Sequence, residues 1–307
     1  MPLFRKKTAA VVKAEADKGT AESAAMLDAY LYNLTIYPDA ETVERDGTSK
    51  YFGSAQPDYI GAVKGKCNFD IDLRGNGTDA LDPALSAILT CCSMKNAAET
   101  YTPTSIHATQ ETLTILVYED GEKKGLRGAA GKWSFKGEFG KSIMIHIELE
   151  GGWIAPITAA MPETFTPSTE VPPKLAGATF TVGGAPMYLA NIGFDSGNII
   201  AIHPDITAVG GVGYMMVSGH KYTMSMDPEA VPVATYDING LWLAGTPGAV
   251  SLVIGAGAGK QITITAPALQ WIDIPEGERE GVLIYDANAK LINSSGDDAI
   301  SIAVATS

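Results

Sequence analysis

The sequence predicts a mainly β protein made of two tandem β-sandwich or barrel-like domains, each with a short flanking α-helix. Two similar segments of alternating polar and apolar residues, 66–72 and 221–227, lie 155 positions apart (221 minus 66). The 33 glycines and 17 prolines favour strands and turns over long helices. Asp82-Pro83 has the residue types that begin a helix. A chain of 307 residues is long enough for two domains of ordinary size.

The first strand of the repeat shows the pattern most clearly. Cys67, Phe69 and Ile71 alternate with polar residues, which is typical of a strand with one buried and one solvated face. Similar segments recur in the same order later in the chain, so we interpret the sequence as two diverged copies of one β unit. The matched pairs are 66–72 with 221–227, 120–125 with 276–281, and 145–149 with 300–304.

Composition suggests where the two units begin and end. Residues 1–30 are rich in alanine, lysine and glutamate and are predicted to form a helical or mobile arm. Residues 151–174 contain five prolines, which predicts a linker. Between them Asp39 to Gln56 is polar and is expected to form a long loop. The predicted division is arm 1–30, first domain 31–150, proline-rich linker 151–174 and second domain 175–307.

Each unit has one predicted helix and several predicted strands. Asp82 as N-cap and Pro83 in the first turn predict a helix ending near Cys91. A weaker helix is expected at 237–243, where Gly240 interrupts it. The predicted strands are 30–37, 63–74, 113–117, 133–135, 143–150, 179–182, 187–194, 199–202, 214–227, 262–266, 282–285 and 300–304.

Charge and hydropathy exclude several classes of protein. The net charge of −13 argues against a protein that grips nucleic acid, though not against one past which nucleic acid slides. No apolar run approaches the ~20 residues of a membrane span, and the basic N-terminus lacks the apolar core of a signal peptide. Three cysteines without metal spacing indicate a reduced, intracellular origin.

Motifs that could carry chemistry are weak. Gly255–Lys260 fails the phosphate-loop spacing and is interpreted as a hairpin or loop. The four histidines are scattered, and no nucleophile elbow is present, so we expect no metal, no cofactor and no enzyme. Asp70 with Asp72, and Glu148 with Glu150, could form a glycosidase-type acid pair, but solvated strand faces are the favoured interpretation.

Several short segments follow one another in a fixed order: Phe69–Gly77, Pro83–Cys91, 101–105, 117–121 and 127–131 in the first copy, and 194–198, 226–228, 266–267 and 297–298 in the second. Together they resemble the major tail tube proteins of long, flexible-tailed bacteriophages. The resemblance covers about residues 50–307 and rests on the order of many short pieces. The second helix is degraded relative to that pattern, and residues 1–30 match nothing in it.

The resemblance implies a structural virion protein that polymerises into stacked rings, the conduit for viral DNA in the tail. It implies synthesis in the host cytoplasm and residence in the virion tail. Two units per chain imply rings of three chains with pseudo-sixfold symmetry. Implied partners are further copies of the chain, a tape measure protein, and tail terminator and distal tail proteins. DNA would pass through without specific binding, and no membrane is involved.

If residues 68–74 and 144–150 are inner strands, their polar sides are expected to line the channel. The second copy would contribute mostly small, uncharged residues, so acidic and neutral strips would alternate around the wall. The same carboxylates could instead lie on an outer surface. The predicted lumen-facing residues are Asp70, Asp72, His146, Glu148, Glu150 and Asp227, and the predicted small counterparts are Thr223, Ser225, Ser301, Ala303 and Ala305.

Two alternatives come from other classes. A carbohydrate-binding β-sandwich or adhesin would need an aromatic platform, and the four tryptophans are scattered along the chain. Another phage tail component, such as a hub or a terminator, is the nearest alternative to the tube itself.

Overall fold

The structure, a computed structural model, describes residues 6–48, 50, 53 and 56–305. It confirms a mainly β fold with two short helices. The helices are α1 Pro83–Cys91 and α2 Ile238–Ala244. The strands are β1 Thr8–Ala14, β2 Leu27–Ala29, β3 Tyr32–Val43, β4 Tyr59–Asp72, β5 Met94–Ala97, β6 Thr100–Pro103, β7 Leu113–Glu119, β8 Glu122–Glu138, β9 Met144–Thr158, β10 Thr179–Val182, β11 Ala185–Pro186, β12 Asn191–Asp195, β13 Ile199–Pro204, β14 Val212–Gly219, β15 Thr223–Met226, β16 Gly248–Ile254, β17 Ile262–Asp273, β18 Glu276–Arg279, β19 Val282–Tyr285, β20 Ala287–Ile292 and β21 Ser301–Val304.

One scheme of antiparallel strand pairing occurs twice along the chain. In the first half, up to Thr158, neighbouring strands follow the order β3-β4-β9-β8-β7-β1-β2. In the second half, from Thr179, they follow β12-β15-β20-β17-β16-β10-β11. The helices occupy matching places in the chain, α1 between β4 and β7 and α2 between β15 and β16. The six pairings of one half therefore have six counterparts in the other.

The paired registers identify which residues correspond. The offset of 155 matches Asn68 of β4 with Thr223 of β15. Asn68 lies opposite Glu148 and Thr223 lies opposite Lys290, so Glu148 and Lys290 also correspond. Following the pairing one strand further matches Trp133 of β8 with Trp271 of β17. Both indole side chains are buried in the core.

Two of the three repeat matches read from the sequence are wrong. The counterpart of 145–149 is 287–291 in β20, whereas β21 pairs with β17 and β6. The segment 120–125 begins with the turn of the β7–β8 hairpin and continues into its second strand, whereas 276–281 is the first strand of the β18–β19 hairpin and ends with its turn. Both turns use two residues of positive φ, which selects similar residues in unrelated hairpins.

The two halves share a sheet and a core. β8 pairs with β12, where Phe135 lies opposite Phe194, and β21 pairs with β6. One hydrophobic cluster contains buried side chains from both halves. The division into two domains stays a prediction. The predicted linker at 151–174 is wrong for its first residues, because β9 continues to Thr158.

The expectation of a helical or mobile arm at 1–30 is wrong for the described residues. β1 pairs with β7 over its whole length, from Thr8 opposite Glu119 to Ala14 opposite Leu113. Its residues 9–12 are buried. Pairing and burial here override the helical preference of alanine and lysine. Residues 1–5 of the predicted arm lie outside the described residues.

The predicted loop Asp39–Gln56 is shorter than expected. β3 continues to Val43, which lies opposite Tyr59 of β4, so residues 39–43 belong to a strand. Residues 44–48, 50, 53 and 56 have no regular structure, and residues 49, 51, 52, 54 and 55 lie outside the described part.

Other local predictions are confirmed or adjusted. Asp82 caps α1, its carboxylate accepting from the Ala84 amide at 2.9 Å, and Asp237 accepts from the Gly240 amide at 2.7 Å at the start of α2. The 255–260 segment connects β16 to β17 as a hairpin loop. The predicted strand 187–194 is confined to β12, and 214–227 is divided between β14 and β15. None of the described helices has the length and apolar character needed to span a membrane.

Candidate functional site

A polar face covers the side of the β3-β4-β9-β8 sheet that points away from the core. Its side chains alternate with the buried Phe69, Ile71, Ile145 and Ile147, as the period of a strand requires. We call these residues the polar face. They are Asp39 of β3, Lys64, Lys66, Asn68 and Asp70 of β4, Lys132, Ser134 and Lys136 of β8, and His146, Glu148 and Glu150 of β9.

Lysines and carboxylates on neighbouring strands of the polar face form ion pairs. Such cross-strand pairs stabilise a sheet only modestly when they are solvated. The bond from Lys66 is the main cause that lowers the pKa of the Asp39 carboxyl below its ordinary value. The Nζ–O distances are 3.0 Å for Lys66–Asp39, 2.9 Å for Lys64–Glu150 and 3.0 Å for Lys132–Glu148.

His146 lies at the centre of the polar face, between two carboxylates. Its Nδ1 is 2.6 Å from Asp70 Oδ1, and its Nε2 is 3.7 Å from Glu148 Oε1. Asp70 also accepts a hydrogen bond from Asn33 Nδ2 at 2.6 Å. The predicted residues Asp70, His146, Glu148 and Glu150 therefore do share one solvated face, as the sequence indicated.

Asp72 and Asp227 do not present free carboxylates on this face, so that expectation is wrong. Each is only 7% exposed. Asp72 accepts from the Tyr32 hydroxyl at 2.9 Å. Asp227 accepts from the amides of Ala190 and Asn191 and pairs with Arg279 at 2.9 Å. Both lie at the end of their strand, where the carboxylate accepts hydrogen bonds from neighbouring segments of the same chain.

The second half continues the polar face with fewer charges. Thr223 and Ser225 of β15 lie there as predicted. The predicted Ser301 and Ala303 belong to β21, and Ala305 lies beyond it; the true counterparts on β20 are Asn288 and Lys290. The expected acidic strips are also wrong, because paired lysines balance the carboxylates of the first half.

Glu15 is a buried carboxylate that sequence patterns did not single out. It accepts four hydrogen bonds, each 2.7 Å long, from three segments of the first half. The donors are the hydroxyls of Thr112 and Thr114 and the amides of Gly19 and Gly128. Buried charges need such partners, but three of the four donors are distant in sequence and carry no spacing signal.

Arg127 links the first half to the β13–β14 hairpin. Its guanidinium donates to four backbone carbonyls, those of Gly19, Val209, Val212 and Gly213, at 2.9 to 3.1 Å. A planar fork with five N–H donors suits such a cluster of acceptors. The hairpin is thereby held against β8, where Ala130 contacts the small cluster formed by Val212, Met215 and Val217.

Two hairpins extend from the same end of the sheet. The β13–β14 hairpin lies between β12 and β15, which is where the outer part of the β3–β4 hairpin lies in the first half. Its connecting loop carries Ile206 and Val209, which are 100% and 81% exposed. Tyr59 and Ile60 are exposed on the β3–β4 hairpin.

Features expected of the alternative functions are weak. Trp133 and Trp271 are buried, so they offer no aromatic platform to a carbohydrate. Asp72 is buried and Glu148 and Glu150 are ion-paired, which does not suit a glycosidase acid pair. In the described part of the chain, no group of three histidine, cysteine or acidic residues could hold a metal ion.

Comparison with known proteins adds no identity. No protein-family model matches the chain, and no curated protein sequence matches it. The duplicated sheet, its polar face and its two hairpins are the features on which a function can be argued.

Proposed function

We propose that this chain is a structural virion protein of a long-tailed bacteriophage. Three chains form a ring with pseudo-sixfold symmetry, and stacked rings form the tail tube through which viral DNA passes. The chain is made in the host cytoplasm and ends in the virion tail. A tape measure protein inside the tube and terminator and distal tail proteins at its ends are the further partners.

The observation that carries this proposal is the duplicated pairing scheme. Its two copies are already joined edge to edge, through β8 and β12, into a wider sheet with one polar face. A sheet with open edges must pair or be protected. Repeating the same kind of joint between chains would curve the sheet into a closed barrel, which leaves no edges. A head-to-tail interface of this kind closes into a ring when its rotation permits.

The charge pairs of the polar face suit the wall of a DNA conduit. Proteins hold DNA chiefly through lysine and arginine side chains that neutralise phosphates. Lys64, Lys66 and Lys132 are each engaged by a carboxylate of a neighbouring strand. A wall of this kind offers DNA few free cations, so DNA would slide past it.

Electron microscopy of the purified protein tests the proposal. We expect rings or hollow tubes in which one turn contains three chains, each contributing two similar densities. Native mass spectrometry of isolated rings should give three times the chain mass. Six full chains per ring, or a protein that stays monomeric under every assembly condition, would contradict the proposal.

Freeing the lysines of the wall should slow DNA passage. In phage carrying Glu148→Gln and Glu150→Gln, Lys132 loses its carboxylate partner and Lys64 keeps only the longer 3.5 Å contact with Asp39. Tubes should form while DNA ejection slows. The effect should be greater at low salt, where attraction to phosphate is least screened. Glu163→Gln, an exposed position outside the polar face, is the matched control. Unchanged ejection through well-formed tubes would show that these residues do not face the DNA.

A further inference from the structure

We propose that the open edge of β3 pairs with the end of β17 in a second copy of the chain, in the register of the β8–β12 junction. The inference rests on the proposed function for the closed ring, but the pairing itself is argued from the strand registers. The partner is thus another copy of the same chain, joined head to tail.

Two stretches of strand in the described structure have a neighbour on one side only. β3 pairs with β4, and no other described strand lies along it. Residues 270–273 of β17 pair with β20, but β16 on the other side reaches only Leu269. Unpaired strand edges of this kind can accept a further strand.

The chain contains a complete example of the joint that these edges could make. β12 occupies in the second half the place that β3 has in the first, and β8 occupies in the first half the place that β17 has in the second. Where β8 and β12 meet, Ser134 lies opposite Asp195 and Phe135 opposite Phe194. The joint between the halves therefore serves as a template for a joint between chains.

The template fixes a register. Asn68 and Thr223 correspond through the offset of 155. Thr35 lies opposite Asn68 and Asp195 lies opposite Thr223, so Thr35 has the same place in the first half as Asp195 in the second. His146 of β9 and Asn288 of β20 correspond in the same way. Ser134 lies opposite His146 and Asp273 lies opposite Asn288, so Asp273 has the same place in the second half as Ser134 in the first. Thr35 of one copy should therefore lie opposite Asp273 of the next.

Burial at the edges agrees with a missing partner. In the existing joint, Phe135 and Phe194 are 2% and 3% exposed. On β3 the corresponding side of the strand carries Leu34 and Ile36, which contact the core but are only half-buried. Ile272 is exposed and lies in an irregularity of β17. Its carbonyl already accepts a hydrogen bond from the Trp242 indole at 3.0 Å, so we leave Ile272 out of the transferred register.

Cysteine cross-linking tests the register directly. In the double variant Thr35→Cys/Asp273→Cys, oxidation or a short bismaleimide should link chains into a ladder that ends at three on a non-reducing gel. Directly opposed residues of an antiparallel pair lie about 4.5–5.5 Å apart at Cα, within reach of a disulfide. The native Cys67, Cys91 and Cys92 are buried, and burial raises the pKa of the Cys67 thiol to about 12, so they should not react.

The matched control is Ser134→Cys/Asp195→Cys, which should link within one chain and leave it at the position of the monomer on the gel. Each single-cysteine variant should give no ladder. If rings form and the control links but the Thr35/Asp273 variant does not, the register is wrong while the proposed function stands. If the wild-type protein forms no ring or tube, both proposals fail together.

Discussion

Replacing Glu15 by glutamine is expected to lower the free energy of unfolding by about 3–5 kcal/mol. The carboxylate accepts four hydrogen bonds in the interior, and an amide can offer only one oxygen to those donors. Its NH₂ group would face donors, leaving several buried polar groups unpaired. Chemical denaturation followed by tryptophan fluorescence measures the change.

Glu22→Gln is the control for that experiment. Glu22 belongs to the same N-terminal segment and pairs with Lys13 at 2.9 Å, but it also faces solvent, so its loss should have a much smaller effect. Equal stability of the Glu15 variant and the wild type would mean that the N-terminal segment contributes little to the folded state.

Placing charge on the β13–β14 loop is expected to stop tube growth and leave single rings. The two hairpins extend from one end of the sheet, while the exposed Phe139 and Tyr188 lie beside the strand ends at the other. Stacking one ring on the next, with opposite ends of the sheet in contact, would bury apolar residues of both ends. The double variant Ile206→Asp/Val209→Asp would force two carboxylates into that contact, where burial without a partner is strongly unfavourable.

Sedimentation and electron microscopy should then find rings but no tubes. Val171→Asp serves as the control, because Val171 is 79% exposed but lies outside both hairpins. Tubes of normal length from the double variant would exclude the β13–β14 loop from stacking. If no rings form, circular dichroism shows whether the double variant has failed to fold.

Local features were predictable where a short segment determines its own structure. Asp82 and Pro83 define the start of α1 by capping and by fixed φ, and alternation identifies the buried Phe69 and Ile71. The shared face of Asp70, His146 and Glu148 followed from period-two geometry combined with pairing of the two strands. The helix start and the buried side of β4 required no knowledge of distant contacts.

Features that depend on distant partners were not predictable. β1 is a strand that pairs with β7, although the composition of residues 1–30 as a whole suggested a helix. The match of 145–149 to 300–304 failed because apolar alternation is common to all strands, whereas only pairing identifies β20 as the counterpart. Asp72 and Asp227 alternate correctly but are buried, since tertiary donors occupy them.

The same limitation affected the electrostatics of the candidate wall. Counting carboxylates along β4 and β9 suggested an acidic surface, but Lys132 reaches Glu148 from β8, and Lys66 reaches Asp39 on β3. Sheet order brings these side chains together from four separate strands. Counting carboxylates per segment therefore suggested a negative charge for a face on which lysines balance the carboxylates.

The β8–β12 junction also has a thermodynamic consequence for the proposed ring. A ring of six separate units would form every lateral joint between free molecules, and each association loses translational and rotational freedom. Because every second joint lies within one chain, three of the six would form with folding. Residues 159–178 connect the two halves covalently, so each half meets the other at a high effective concentration. Ring nucleation would then require far less protein, and the order of the two halves around the ring would be fixed.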